Sequence, residues 1–111
     1  MKDDKFYLIH IKESIEWIEK FTSEGEESFW EDRKTQDAVL RNLHTLSEST
    51  QRLSDQLKTR YPDVDWRTIA AFRNVVVHDY LGIDIDQIWD IVKDDLPDLK
   101  QKIERILKNL E

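Results

Sequence analysis

The run FRNVVVHDY, Phe72 to Tyr80, sets an arginine and an asparagine about one helical turn ahead of a histidine. A guanidinium supplies permanent positive charge and a fork of donors matched to phosphate oxygens, and an imidazole moves protons near neutral pH. Together they suit phosphodiester cleavage. His78 would act as general base or acid on a ribose hydroxyl, and Arg73 would stabilise the charge that builds on the phosphorus oxygens. Asn74 adds a donor or an orienting group, and no metal is required. A plainer reading pairs Arg73 with an acid such as Asp79 or Glu48 and leaves His78 as a hydrogen-bonded helix residue. These residue types meet at this spacing often by chance.

On an α-helix Asn74 and His78 share one face, while Ile69, Phe72 and Val76 have core spacing on the other. Three consecutive valines are poor helix formers, so packing must hold such a helix; a buried strand is the competing local reading. Tyr61-Pro62 stops the preceding helix, because proline cannot donate and biases its predecessor away from helical geometry. Asp63 or Asp65 then caps a third helix that starts near Trp66 and carries the motif to its end, where the chain turns at Gly82. Tyr80 continues the core spacing and reads as a core tyrosine, or as one near solvent where the chain turns; both hold if its ring packs while its hydroxyl reaches outward.

The remaining elements follow from periodicity. Leu8, Ile11, Ile15 and Ile18 draw a stripe down a first helix from about Asp4 to Phe21, with Trp17 and Phe21 widening it. His10, between Ile9 and Ile11, is expected to be a packed or rim residue. Thr22 to Glu31 is a connector in which Gly25 ends the helix. Phe29 and Trp30 cap the core there, a base-stacking platform being the alternative. A second helix extends from Asp32 or Lys34 to Arg60, with Ala38, Leu43, Leu46, Leu53 and Leu57 inward and Val39 and Leu40 adding breadth. His44 and Glu48 stand four apart on it, placed for a mutual hydrogen bond or an orienting role near the cleft. Ser47, Ser49, Thr50 and Ser54 weaken it locally and predict a bend or a partner subunit. Asp84 or Asp86 caps a fourth helix with Ile88, Trp89 and Val92 inward. Asp95-Leu96-Pro97 interrupts it, and Leu99, Ile103, Ile106, Leu107 and Leu110 line its continuation. Lys100, Lys102, Arg105 and Lys108 make a solvated side.

With 111 residues, two glycines, two prolines and 37% charged residues, the chain reads as one domain over residues 1–111. The expected fold is all-α, an up-and-down bundle of four main helices with the last broken near Pro97. The formal charge of −7, from 17 Lys and Arg against 24 Asp and Glu, argues against sequence-blind nucleic-acid binding. A local basic cleft remains, since Lys58, Arg60, Arg67 and Arg73 fall in one window. The absence of cysteine excludes a disulfide framework and thiolate chemistry. MKDDKFYLIH lacks the apolar segment of a signal peptide, and no run approaches membrane-spanning length, so the cytoplasm is expected. No His, Asp and Glu set has metal-ligand spacing, and no cofactor is implied.

The run YPDVDWRTIAAFRNVVVHDYLGIDIDQIWDIVKDDLPDLKQKI, Tyr61 to Ile103, resembles the signature half of the HepT-like family, the DUF86 branch of the HEPN superfamily. QDAVLRNLHTLSES, Gln36 to Ser49, resembles that family's second helix. The most specific parts are Tyr61-Pro62 with Trp66-Arg67, the Arg73-Asn74…His78-Asp79-Tyr80 core, and Gly82…Asp84 with Trp89. The resemblance implies a metal-independent endoribonuclease motif at Arg73 and His78, in the toxin of a type II or type VII-like toxin–antitoxin pair acting on tRNA or mRNA. It implies a homodimer whose two motifs line one cleft. It also implies a minimal nucleotidyltransferase antitoxin as partner, which would modify Tyr80 with AMP. Where the family commonly has Ile-Gly-Glu-Ala, this chain has Leu46-Ser47-Glu48-Ser49. Glu48 is kept as a supporting residue, and loss of the glycine is expected to alter how closely the second helix approaches its neighbour. A non-catalytic module of the same fold, docking a nucleotidyltransferase or a nucleotide, is the rival reading.

Overall fold

Leu8, Ile11, Ile15 and Ile18 recur at helical spacing along α1 (Lys2–Phe21), and all four are fully buried. The stripe in the sequence is thus the face that drives packing. The computed structural model describes residues 2–75 and 85–110, and every regular element among them is helical. Trp17 and Phe21 do not widen the buried face. They stack on each other at 5.6 Å on the outer side of α1, with Trp17 51% exposed, because at about 100° per residue they fall well round the helix from the stripe. His10 lies on that outer side too, against Phe6. Gly25, at φ 98°, turns the chain in a region that favours glycine.

The expected connector contains a helix of its own, α2 (Glu26–Glu31). It buries Phe29, whose ring lies 5.2 Å from that of Trp89, while Trp30 stays exposed. The buried Gln36 amide donates to the Phe29 and Trp30 carbonyls at 2.8 and 3.1 Å, satisfying acceptors that the short helix leaves open. Asp32 caps α3 (Arg33–Gln51), accepting from the Lys34 amide at 3.0 Å and the Thr35 hydroxyl at 2.7 Å. The Thr35 hydroxyl is the main reason the Asp32 carboxyl lies below its usual range.

The second helix does not run unbroken to Arg60. It stops at Gln51, and α4 (Asp55–Arg60) starts anew behind Ser54. The buried Asp4 carboxylate of α1 accepts from the Ser54 amide at 2.8 Å and its hydroxyl at 2.6 Å. Ser54 Oγ in turn accepts the Leu57 amide at 3.1 Å, so one serine is both an N-cap and a tie to α1. Asp65 caps α5 (Trp66–Ala71) as expected, through the Thr68 amide and hydroxyl.

α6 (Ile85–Asp90) leads through a π-helical turn at Ile91–Asp95 into α7 (Leu96–Asn109). The predicted break near Pro97 is therefore a widened turn inside continuing helix, with the Leu96 amide bonded to the Ile91 carbonyl. A proline ring crowds the carbonyl four residues back, and a π turn takes up that misfit while Ile91, Leu96 and Leu99 stay buried. α3 packs against α1, α2 and α5, and α1 also packs against α7. On the basic side of α7, Lys100, Lys102 and Arg105 are paired rather than merely solvated. Lys100 meets Glu19 at 2.9 Å, Lys102 donates to the Asp63 carbonyl at 2.7 Å, and Arg105 pairs with Asp63.

Two predictions follow from these ties. Asp4→Ala leaves the Ser54 groups without their ionised partner and should cost about 3 kcal/mol of stability in urea unfolding. In the π turn, burial and then the neighbouring Asp94, Asp65, Asp90 and Asp98 push the Asp95 carboxyl up. The fold therefore holds that proton more tightly than the unfolded chain does, and ionisation destabilises it. Asp95→Asn should raise the melting temperature at neutral pH, with the gain closing as pH falls through the carboxyl range.

Candidate functional site

After Ala71, α5 tightens into a 3-10 turn, Phe72–Asn74, and the chain leaves helical geometry at Val75, whose ψ is 124°. Phe72 and Val75 are buried and Arg73 and Asn74 are exposed. Ile69, Phe72 and Val75 are the buried residues of this stretch, Val75 being one that the spacing did not place inward. The helix expected to carry the motif onward ends before the valine run, where β-branched side chains make further helix costly. Val76 to Asp84, with His78, Asp79, Tyr80 and Gly82, lie outside the described residues.

One turn of α3 holds both ends of this turn. Ser47, fully buried, donates from Oγ to the Ala70 carbonyl at 2.8 Å. His44 Nε2 lies 2.6 Å from the Val75 carbonyl. A carbonyl only accepts, so Nε2 carries a proton in either charge state of the ring. The serine that stands where a glycine was expected thus adds a hydrogen bond to the close helix approach.

His44 and Glu48 do not pair with each other. Glu48 meets Arg52 at 3.6 Å instead, and the Tyr7 hydroxyl, then Glu48, raise the Arg52 guanidinium above its usual value. Arg73 likewise does not pair with Glu48. None of the ion pairs among the described residues includes Arg73, and the alternative pairing with Asp79 lies outside them. Arg60 on α4 and Arg67 on α5 are exposed as well. Beside the turn, Asp37, Leu40, Arg41, His44, Thr45 and Glu48 line a depression of about 490 Å³ along α3. Among the described residues no group of three or more His, Cys, Asp and Glu could hold a metal, and no helix is long and apolar enough to cross a membrane.

Sequence reasoning singled out His44 for an orienting role or a bond to Glu48, but not its bond to the Val75 carbonyl, 31 residues away. It missed Ser47 as an anchor, although Ser47 falls four residues after Leu43 and beside Leu46 on the buried face.

Residues 11–106 match the family model described as Ribonuclease HepT-like. A protein of Thermococcus cleftensis named "Probable ribonuclease HepT" is 40% identical over 108 residues, covering 96% of this chain and 98% of that one. Two proteins of Methanocaldococcus jannaschii are each 36% identical over 111 residues, 99% of this chain. In one, named "Putative RNase", the match covers 92% of the length. In the other, named "Gamma-glutamylcyclotransferase and putative RNase", it covers 50%, so this chain spans half of that relative. No solved structure matches the chain.

The Ser47 anchor makes a stability prediction. Ser47→Ala should cost about 1 kcal/mol for the lost bond to the Ala70 carbonyl. Ser47→Gly should cost about 2 kcal/mol, because helix propensity falls as well. Urea unfolding of the two variants against the parent checks both.

Proposed function

From the premise that the chain belongs to the HepT-like ribonuclease family, we propose that it is a metal-independent endoribonuclease cutting tRNA or mRNA through Arg73 and His78. The observation that carries the proposal is the exposed Arg73–Asn74 pair, presented on a turn that α3 anchors at both ends. His78 takes the proton of a ribose 2′-hydroxyl, whose oxygen attacks the adjacent phosphorus. The 5′-oxygen of the next nucleotide leaves and receives a proton, giving a 2′,3′-cyclic phosphate and a 5′-hydroxyl. Arg73 stabilises the charge that builds on the equatorial oxygens, and Asn74 fixes the phosphate. Glu48 supports the site from the rim of the α3 depression beside His44.

In a homodimer the second His78 supplies the other proton transfer. The enzyme acts as the toxin of a type II or type VII-like pair in the cytoplasm. Its partner is a nucleotidyltransferase antitoxin that modifies Tyr80 with AMP. The formal charge of −7 favours a second reading, a non-catalytic module that docks the nucleotidyltransferase or a nucleotide.

Purified protein in chelator, offered total tRNA and mRNA, separates the two. The unmodified protein should give discrete cuts, with Arg73→Ala and His78→Ala each slowed at least about 100-fold at unchanged folding. Identical cutting by all three would mark a contaminant, and no cutting by the unmodified protein would select the docking module.

A further inference from the structure

We infer that His44 is a positioning residue of this site, its Nε2–H holding the Val75 carbonyl and so fixing the turn that presents Arg73 and Asn74. The inference rests on the ribonuclease reading. Val75 is the first residue past the turn with extended backbone, and the carbonyls at a helix end have no partner within the helix. In sequence it lies two residues after Arg73 and three before His78, between the two groups that the chemistry needs.

Both α3 bonds are part-buried, and it is the donors that differ. The Ser47 side chain is fully buried, so its loss falls on stability. His44 is only part-buried, at a bond open to the surface depression. Water can take the Val75 carbonyl there at little cost in stability. Water cannot hold the carbonyl at one fixed position, and a shift of about 1 Å in a reacting group can cost about 100-fold in rate. The imidazole donates from Nε2 in both its neutral and its charged state, so the anchor persists across the working pH range. Arg41, Asp37 and Glu48 line the same depression on α3, and Arg73 stands on the turn that α3 packs against.

The test compares wild type, His44→Ala and His44→Gln on total tRNA, with kcat and KM followed against pH. Glutamine keeps a donor and does not titrate. His44→Ala should lower kcat about 10- to 100-fold with KM changed less than about 3-fold. His44→Gln should restore most of the rate and keep the wild-type acid limb. An alanine variant as fast as wild type overturns the positioning role and leaves the ribonuclease reading intact. A glutamine variant as slow as alanine, with the acid limb lost, overturns it in favour of proton transfer by His44 itself. No cutting by wild type overturns the ribonuclease reading and this inference with it. Nitrogen NMR of the wild-type imidazole gives an independent check should the alanine variant not fold. Nε2 must be protonated at neutral pH and coupled to the Val75 carbonyl, and an Nδ1–H tautomer overturns the inference.

Discussion

A helix that ends inside a protein leaves carbonyls with no partner of their own, and here α3 supplies the partners. Ser47 takes the Ala70 carbonyl and His44 the Val75 carbonyl. These two bonds, three residues apart on one helix, bracket the turn that carries Arg73 and Asn74. With Phe72 and Val75 buried, the turn has one orientation, polar side chains outward. The exposure of Arg73 is a consequence of how its neighbours are held.

That arrangement is only as firm as α3, which is held chiefly by apolar packing. Each of the four fully buried aliphatic residues of α1 is worth about 1.5–3 kcal/mol. An exposed pair such as Glu19 with Lys100 contributes under about 1 kcal/mol. The apolar stripe therefore dominates over the surface pairs. The Asp4–Ser54 tie is different in kind. It ties the start of α4 to α1, just past the end of α3.

Features written in one stretch of chain were legible in the sequence. The α1 stripe, the turn at Gly25, the Asp65 cap and the stop at Tyr61-Pro62 all depend on neighbours within a helical turn or two. What was not legible depends on distant partners. The break before Ser54 is set by Asp4, 50 residues away, and nothing near Ser54 distinguishes a broken helix from a bent one. The π turn before Pro97 exists because apolar residues on both sides are buried in one core, which local proline chemistry does not reveal. Ser47 looked like a departure that would disturb a helix contact, and its hydroxyl instead completes that contact.

The chemistry proposed for Arg73 and His78 leaves a signature on the product itself. Attack by the 2′-oxygen, without a metal-activated water, fixes the nature of both new ends. The most direct measurement is therefore the identity of the RNA termini made by the purified protein in chelator. A 2′,3′-cyclic phosphate on one fragment and a 5′-hydroxyl on the other are expected. A 3′-hydroxyl with a 5′-phosphate would contradict transesterification through Arg73 and His78.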